Sequence, residues 1–98
     1  MSTAAGDQPV LTRTVTICNK RGLHARAAAR FVTMAERFDA SVDVLKDGQV
    51  ISARSIMGLM MLGAAKGSDI ELRAEGWDAK EALDALAALV EAGFDEQD

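Results

Sequence analysis

Strict alternation of apolar and polar residues is the feature that most narrows the folds open to this chain. Between Leu11 and Cys18, the residues Leu11, Val15 and Ile17 fall on one side and Thr12, Thr14 and Thr16 on the other. From Ser68 to Glu75, Ile70, Leu72 and Ala74 alternate with Asp69, Glu71, Arg73 and Glu75. A period of two puts successive side chains on opposite faces, so each stretch reads as a strand with one buried face. Val42 and Val44 mark a shorter strand over Ser41 to Leu45, and Val50 to Arg54 returns after Lys46-Asp47-Gly48-Gln49. Asp-Gly between two such runs is a strong hairpin signal. Arg13 interrupts the apolar side of the first strand, which suits a place at the edge of the sheet.

Between the strands the period lengthens. Ala28, Phe31, Val32, Ala35 and Phe38 are spaced by three and four, one face of an amphipathic helix running from Ala25 to about Arg37. Ser55 stands before Ile56-Met57-Gly58-Leu59-Met60-Met61-Leu62-Gly63, and a serine before an apolar run is a good N-cap. Glycines at 58, 63 and 67 keep that helix to about two turns. Asp78 caps a longer one, with Ala82, Leu83, Leu86, Leu89, Val90 and Gly93 on its buried side. The order is β-α-β-β-α-β-α. The expected fold class is α+β: an open-faced two-layer sandwich, a four-stranded antiparallel sheet covered by three helices. Residues 1–9 are small and polar and end in the only proline, so a disordered N-terminal tail is expected there. One domain spans 10–94, and 95–98 form a polar C-terminal tail.

Composition removes several functions. At 98 residues there is room for a single core. The formal net charge of -4 and an aromatic content of 4% argue against a nucleic-acid-binding sheet. Residues 78–98 hold seven acids and one lysine, a net of -6, which leaves +2 for residues 1–77. Lys20, Arg21, Arg26, Arg30 and Arg54 supply that excess base, several of them near the histidine in sequence. The single cysteine, Cys18, excludes an internal disulfide, and its place at the end of a strand favours a half-buried structural thiol. One His and one Cys make no metal site, and no cofactor is called for. No stretch is long enough to span a bilayer, and the N-terminus has no signal-peptide character, so a cytoplasmic location is expected.

Chemistry converges on Arg21-Gly22-Leu23-His24-Ala25-Arg26. It contains the only histidine, delivered by a glycine-containing loop to the start of a helix. The first turn of a helix has N–H groups without internal partners and a partial positive charge, both suited to an anion. Ala25 offers no capping oxygen. A phosphate carried on His24 could fill that role, held by the first-turn N–H groups and by the planar fork of Arg26. A surface histidine in a turn is the plain alternative, and the Gly-x-His-x-Arg spacing by itself is weak evidence.

Three features together resemble one family. Gly22-Leu23-His24-Ala25-Arg26 is similar to the active-site signature of HPr, the histidine phosphocarrier of the bacterial phosphotransferase system. Ser55 through Gly63 resembles its regulatory serine region, and Lys66-Gly67-Ser68 through Gly76 and the final helix continue the likeness. The resemblance implies a relay. His24 receives a phosphoryl group on Nδ1 from an enzyme I-type phosphohistidine, itself charged by phosphoenolpyruvate, and passes it to a IIA-type acceptor. Arg26 and the N–H groups of Ala25 and Arg26 hold the phosphate. It further implies that Ser55 is phosphorylated by an HPr kinase/phosphorylase, and that Ile56, Met57 and Met60 contact partners. The family usually has proline after the active-site arginine, where this chain has Ala27, which leaves the loop slightly less rigid. The resemblance leaves two systems open, the feeding of sugar permeases and the nitrogen-related regulatory branch, and the combination of Ser55 with His24-Ala25-Arg26-Ala27-Ala28 looks more like the regulatory branch. A carrier that docks two partners in turn is expected to be a monomer without nucleic-acid or membrane partners. The rival reading is a regulatory interaction module that acts through Ser55 and the Met-rich helix and carries no phosphate on histidine. Packing and docking are about equally good uses for Met57 and Met60.

Overall fold

The computed structural model describes residues 9–96. The tails expected at 1–9 and 95–98 therefore lie mostly outside the described residues. The elements are β1 (Leu11–Thr16), α1 (Ala25–Ala35), β2 (Ser41–Lys46), β3 (Gln49–Ser52), α2 (Ile56–Met61), β4 (Asp69–Glu75) and α3 (Ala79–Glu91), followed by a 3-10 turn at Gly93–Asp95. The order β-α-β-β-α-β-α and the four-stranded antiparallel sheet are as expected, with strands in the order β1-β4-β2-β3. Val15 faces Ile70 across the β1–β4 ladder, and Val44 faces Leu72 across β2–β4. All four are buried, along with Val42 and Ala74, while the residues between them face out or lie half-buried. That single apolar face is what the helices cover. Phe31 and Val32 of α1, Leu59 of α2 and Leu86 and Val90 of α3 complete the core.

Arg13 does sit on an edge strand. It also reaches across to α3, where its Nη2 donates to Asp84 Oδ1 at 2.8 Å. The hairpin forms at Asp47-Gly48, whose φ values of 51° and 84° give the paired left-handed turn that matches strand twist. Because the loop has only two residues, Lys46 pairs with Gln49, so β3 starts one residue before Val50. It also ends early. Ala53 N–H still donates to Val42 O of β2 at 2.9 Å, but Ser55 N–H donates to Ser52 O at 3.1 Å, a turn that carries the chain toward α2. α1 likewise stops at Ala35 rather than Arg37, since Arg37 and Phe38 donate three residues back, to Met34 and Ala35, and tighten the last turn.

Three further differences bear on the site. Asp78 begins α3 with its backbone but does not cap it with its side chain. The carboxylate, 6% exposed, instead accepts Asp39 N–H at 2.9 Å and Ala40 N–H at 2.8 Å, tying α3 to the loop between α1 and β2. Cys18 is exposed rather than half-buried, because it lies past the end of β1; its thiol reaches Val90 O at 3.4 Å and Glu91 O at 3.5 Å. Finally, the chain after α3 does not leave the fold at 94. Gly93, Phe94 and Asp95 have φ values of 65°, 57° and 61°, a left-handed turn that is uncommon for non-glycine residues. Phe94 is fully buried and holds it in place.

Candidate functional site

His24 is the N-cap of α1, with extended φ/ψ of -78° and -178°. Its carbonyl accepts the first helical bond, from Ala28 N–H at 2.8 Å, and its ring makes no capping bond. The N–H groups of Ala25, Arg26 and Ala27 thus precede the helical ladder and carry the positive end of the helix dipole. The loop before His24 is held from below. Leu23 is buried, and its N–H donates to Ala64 O at 2.9 Å, just past α2. Gly22 has φ +67°, and a Cβ there would lie 2.4 Å from Ala64 O, so no side chain fits at this position. The carboxyl end of α2 therefore abuts the loop that carries the histidine.

The ring of His24 is 15% exposed, and its Nε2 is hydrogen-bonded to Glu96 Oε2. The other carboxylate oxygen accepts Asn19 Nδ2 at 2.9 Å. Asn19, itself 6% exposed, also donates to Gly22 O at 2.8 Å. Hydrogen bonds from His24 and then from Asn19 hold the Glu96 carboxyl below the usual carboxylate range, helped by the nearby ring and the Arg21 guanidinium, with desolvation opposing. Arg30 Nη1 donates to Phe94 O and fixes the turn that leads to Glu96.

Sequence reasoning missed both Asn19 and Glu96. The first looked like one polar loop residue among several, and the second like tail. Phe94 was the available signal, since a large aromatic side chain immediately before the supposed tail needs somewhere to be buried.

Arg26 lies exposed on the first turn of α1 and has no hydrogen-bond partner among the described residues. It lines a shallow groove with Ala29, Arg30, Thr33, Arg37 and Leu89. The basic residues do not all gather at the histidine. Arg54 Nη2 donates to Phe38 O at 3.0 Å, beyond the far end of α1. Ser55 caps α2, its Oγ accepting Gly58 N–H at 3.0 Å. Leu59 anchors α2 in the core, whereas Ile56 (39% exposed), Met57 (68%) and Met60 (38%) face outward and do not fill it. Met61 is exposed as well. Among the described residues no cluster could hold a metal ion, and no helix is long and apolar enough to cross a membrane.

Fold and site together define a small open-faced α/β sandwich that presents its one histidine at a helix N-terminus. The family described as PTS HPr component phosphorylation site matches residues 11–92. Phosphocarrier protein NPr of Shewanella violacea is 50% identical over 86 residues, covering 88% of this chain and 94% of that one. Phosphocarrier protein HPr of Cupriavidus necator is 46% identical over 87 residues, covering 89% and 98%. Among solved structures, HPr-C-His from Thermoanaerobacter tengcongensis superposes with a TM-score of 0.84 at 46% identity, covering 89% of this chain and 98% of that one. The HPr of Bacillus anthracis gives 0.79 at 48% identity, covering 83% and 96%. The chain belongs to the HPr family of the phosphotransferase system.

Proposed function

We propose that this protein is a phosphocarrier that accepts a phosphoryl group on Nδ1 of His24 from an enzyme I-type phosphohistidine and passes it to a IIA-type acceptor. The observation that carries the reading is the state of His24. It is the cap residue of α1, yet its ring leaves the first-turn N–H groups uncapped, with Arg26 beside them unpaired among the described residues. An incoming phosphoryl group meets three N–H donors without partners among those residues and a guanidinium fork, and its oxygens supply the missing cap. In the transfer, the Nδ1 lone pair attacks phosphorus in line while the donor's N–P bond breaks and its electron pair returns to the donor ring. Positioning and charge stabilisation carry such a step. The onward transfer reverses the roles.

Ser55 is the proposed target of an HPr kinase/phosphorylase. Its hydroxyl sits at a helix start, where a phosphate is tolerated by the fold and adds about two negative charges beside Ile56, Met57 and Met60. Those side chains form the proposed docking surface for enzyme I-type and IIA-type partners. Of the two systems such a carrier can serve, sugar permeases or the nitrogen-related regulatory branch, the proposed regulation through Ser55 favours the second. The protein acts as a monomer in the cytoplasm, where phosphoenolpyruvate is supplied.

Incubation with phosphoenolpyruvate, magnesium and an enzyme I, followed by intact mass and phosphorus NMR, tests the relay. An acid-labile, alkali-stable phosphate that disappears in His24→Ala is expected. Failure to load with the cognate enzyme I removes the carrier reading and leaves the exposed α2 surface as a regulatory docking module.

A further inference from the structure

We propose that Glu96, braced by Asn19, is the positioning residue of the phosphoryl transfer: it holds the proton on Nε2 of His24 and so leaves Nδ1 as the nucleophile. The proposal rests on the reading of His24 as the phosphoryl acceptor.

A neutral imidazole carries one N–H and one lone pair, and an ionised carboxylate only accepts. The nitrogen bonded to Glu96 Oε2 is therefore the N–H, and the lone pair falls to Nδ1. The carboxylate is not free to drift. Its second oxygen is held by Asn19 Nδ2 at 2.9 Å, and Asn19 spends both hydrogens of that nitrogen, on Glu96 and on Gly22 O. Turning the amide over would set its oxygen against two oxygens, so the buried Asn19 Oδ1, which has no partner among the described residues, is the cost of the correct orientation. The same asparagine grips the loop before His24 and the carboxylate behind it, so ring and partner are aligned by one side chain. Upstream, the buried Phe94 and the Arg30 bond to its carbonyl fix the left-handed turn, and Glu96 N–H donates to Gly93 O at 3.1 Å. Four separate contacts thus deliver this carboxylate to one ring nitrogen.

The chemistry balances without moving a proton. When the Nδ1–P bond forms, the ring becomes a phospho-imidazolium whose Nε2–H stays on Glu96. When the acceptor attacks and the bond breaks, its electron pair returns to Nδ1 and the ring is again neutral. A fixed negative charge on the far nitrogen is more strongly attracted to the cationic ring than to the neutral one, so it favours the loaded state and its transition state. Carboxylates that orient a reacting imidazole through its second nitrogen act in the same way.

The experiment uses the full chain with enzyme I and phosphoenolpyruvate, comparing the unaltered protein with Glu96→Ala, Glu96→Gln and Asn19→Ala. Two readouts are taken: the initial rate of phosphoryl loading, and the ring nitrogens of His24 by nitrogen-edited NMR. The unaltered protein should show a single tautomer with a slowly exchanging Nε2–H. Both Glu96 variants should lose that slow exchange and load about tenfold more slowly, and Asn19→Ala should fall between. Unchanged far-UV dichroism separates this from unfolding. Loading within twofold of the unaltered rate, or slowed loading with the ring nitrogens unaltered, overturns the proposal. If the unaltered protein takes no phosphate at all, the carrier reading falls, and the proposal falls with it as a statement about transfer; the ring-nitrogen comparison still reports whether Glu96 sets the tautomer.

Discussion

The Ser55 hydroxyl accepts the backbone N–H of Gly58 at 3.0 Å, and this one bond starts a helix of only six residues. A helix this short draws little stability from its own ladder and depends on its cap and on Leu59. Ser55→Ala should cost about 1 kcal/mol, a fall in Tm of roughly 4–8 °C for a domain of this size. Ser55→Asp retains a capping oxygen and adds a charge favoured by the dipole. It should melt close to the unaltered protein while loading more slowly from enzyme I. Thermal melts and loading rates measured side by side separate the structural role of this serine from its proposed regulatory one.

Asp78 offers a different test. Its buried carboxylate accepts two backbone N–H groups, from Asp39 and Ala40, that have no other partner in the loop they close. Asp78→Ala strands both and should destabilise by about 2–4 kcal/mol. Asp78→Asn keeps one acceptor and should lose less. Urea titration of the pair measures both, and loading on His24 should persist in Asp78→Asn wherever the protein remains folded.

Gly22→Ala should be worse for function than for composition. The added Cβ meets Ala64 O at 2.4 Å from a backbone already at φ +67°, so the loop must move, and His24 moves with it. Phosphoryl loading should drop at least tenfold, in line with the sensitivity of in-line transfer to misplacement of the reacting group. A variant that loads normally would mean that the loop has other ways to present the ring.

Acid should release the clamp on His24. The Glu96 carboxyl titrates below its usual value because the folded protein bonds its ionised form. Its contribution to stability is therefore complete above the unfolded value, about 4.3, and is lost as pH falls through the lower folded value. Urea midpoints of the unaltered protein and Glu96→Gln should differ at pH 5, where the carboxylate is ionised, and should converge toward pH 3. A gap that widens from pH 5 to pH 3 would contradict the ionised form of this contact.

Much of the fold could be read from local pattern. Period-two runs gave the strands, Asp47-Gly48 gave the hairpin, and the spacing from Ala28 to Phe38 gave α1, because each of those signals lies within a few residues of the structure it causes. His24 and Ser55 were legible for the same reason: a cap is a local feature. Element ends were harder. The last turn of α1 and the early end of β3 depend on which carbonyl each N–H finds, and Asp78 chose the loop over its own helix. The partnership of His24 with Glu96 was not legible at all. It joins residues 72 apart with no periodicity between them, and it follows from where Phe94 is buried. Arg54 shows the converse: near the histidine's group in a charge count, it is carried by the hairpin to the opposite end of α1.

The left-handed turn at Gly93–Asp95 also decides which end of this protein can be extended safely. Glu96 lies against the His24 ring, so a group joined to the chain close after it starts from the wall of the histidine site. Pro9 lies beside Trp77 and Lys80, at the start of α3, and α3 is 13 residues or roughly 20 Å long. A dye, affinity tag or fused reporter joined directly before Pro9 therefore starts about a helix length from His24.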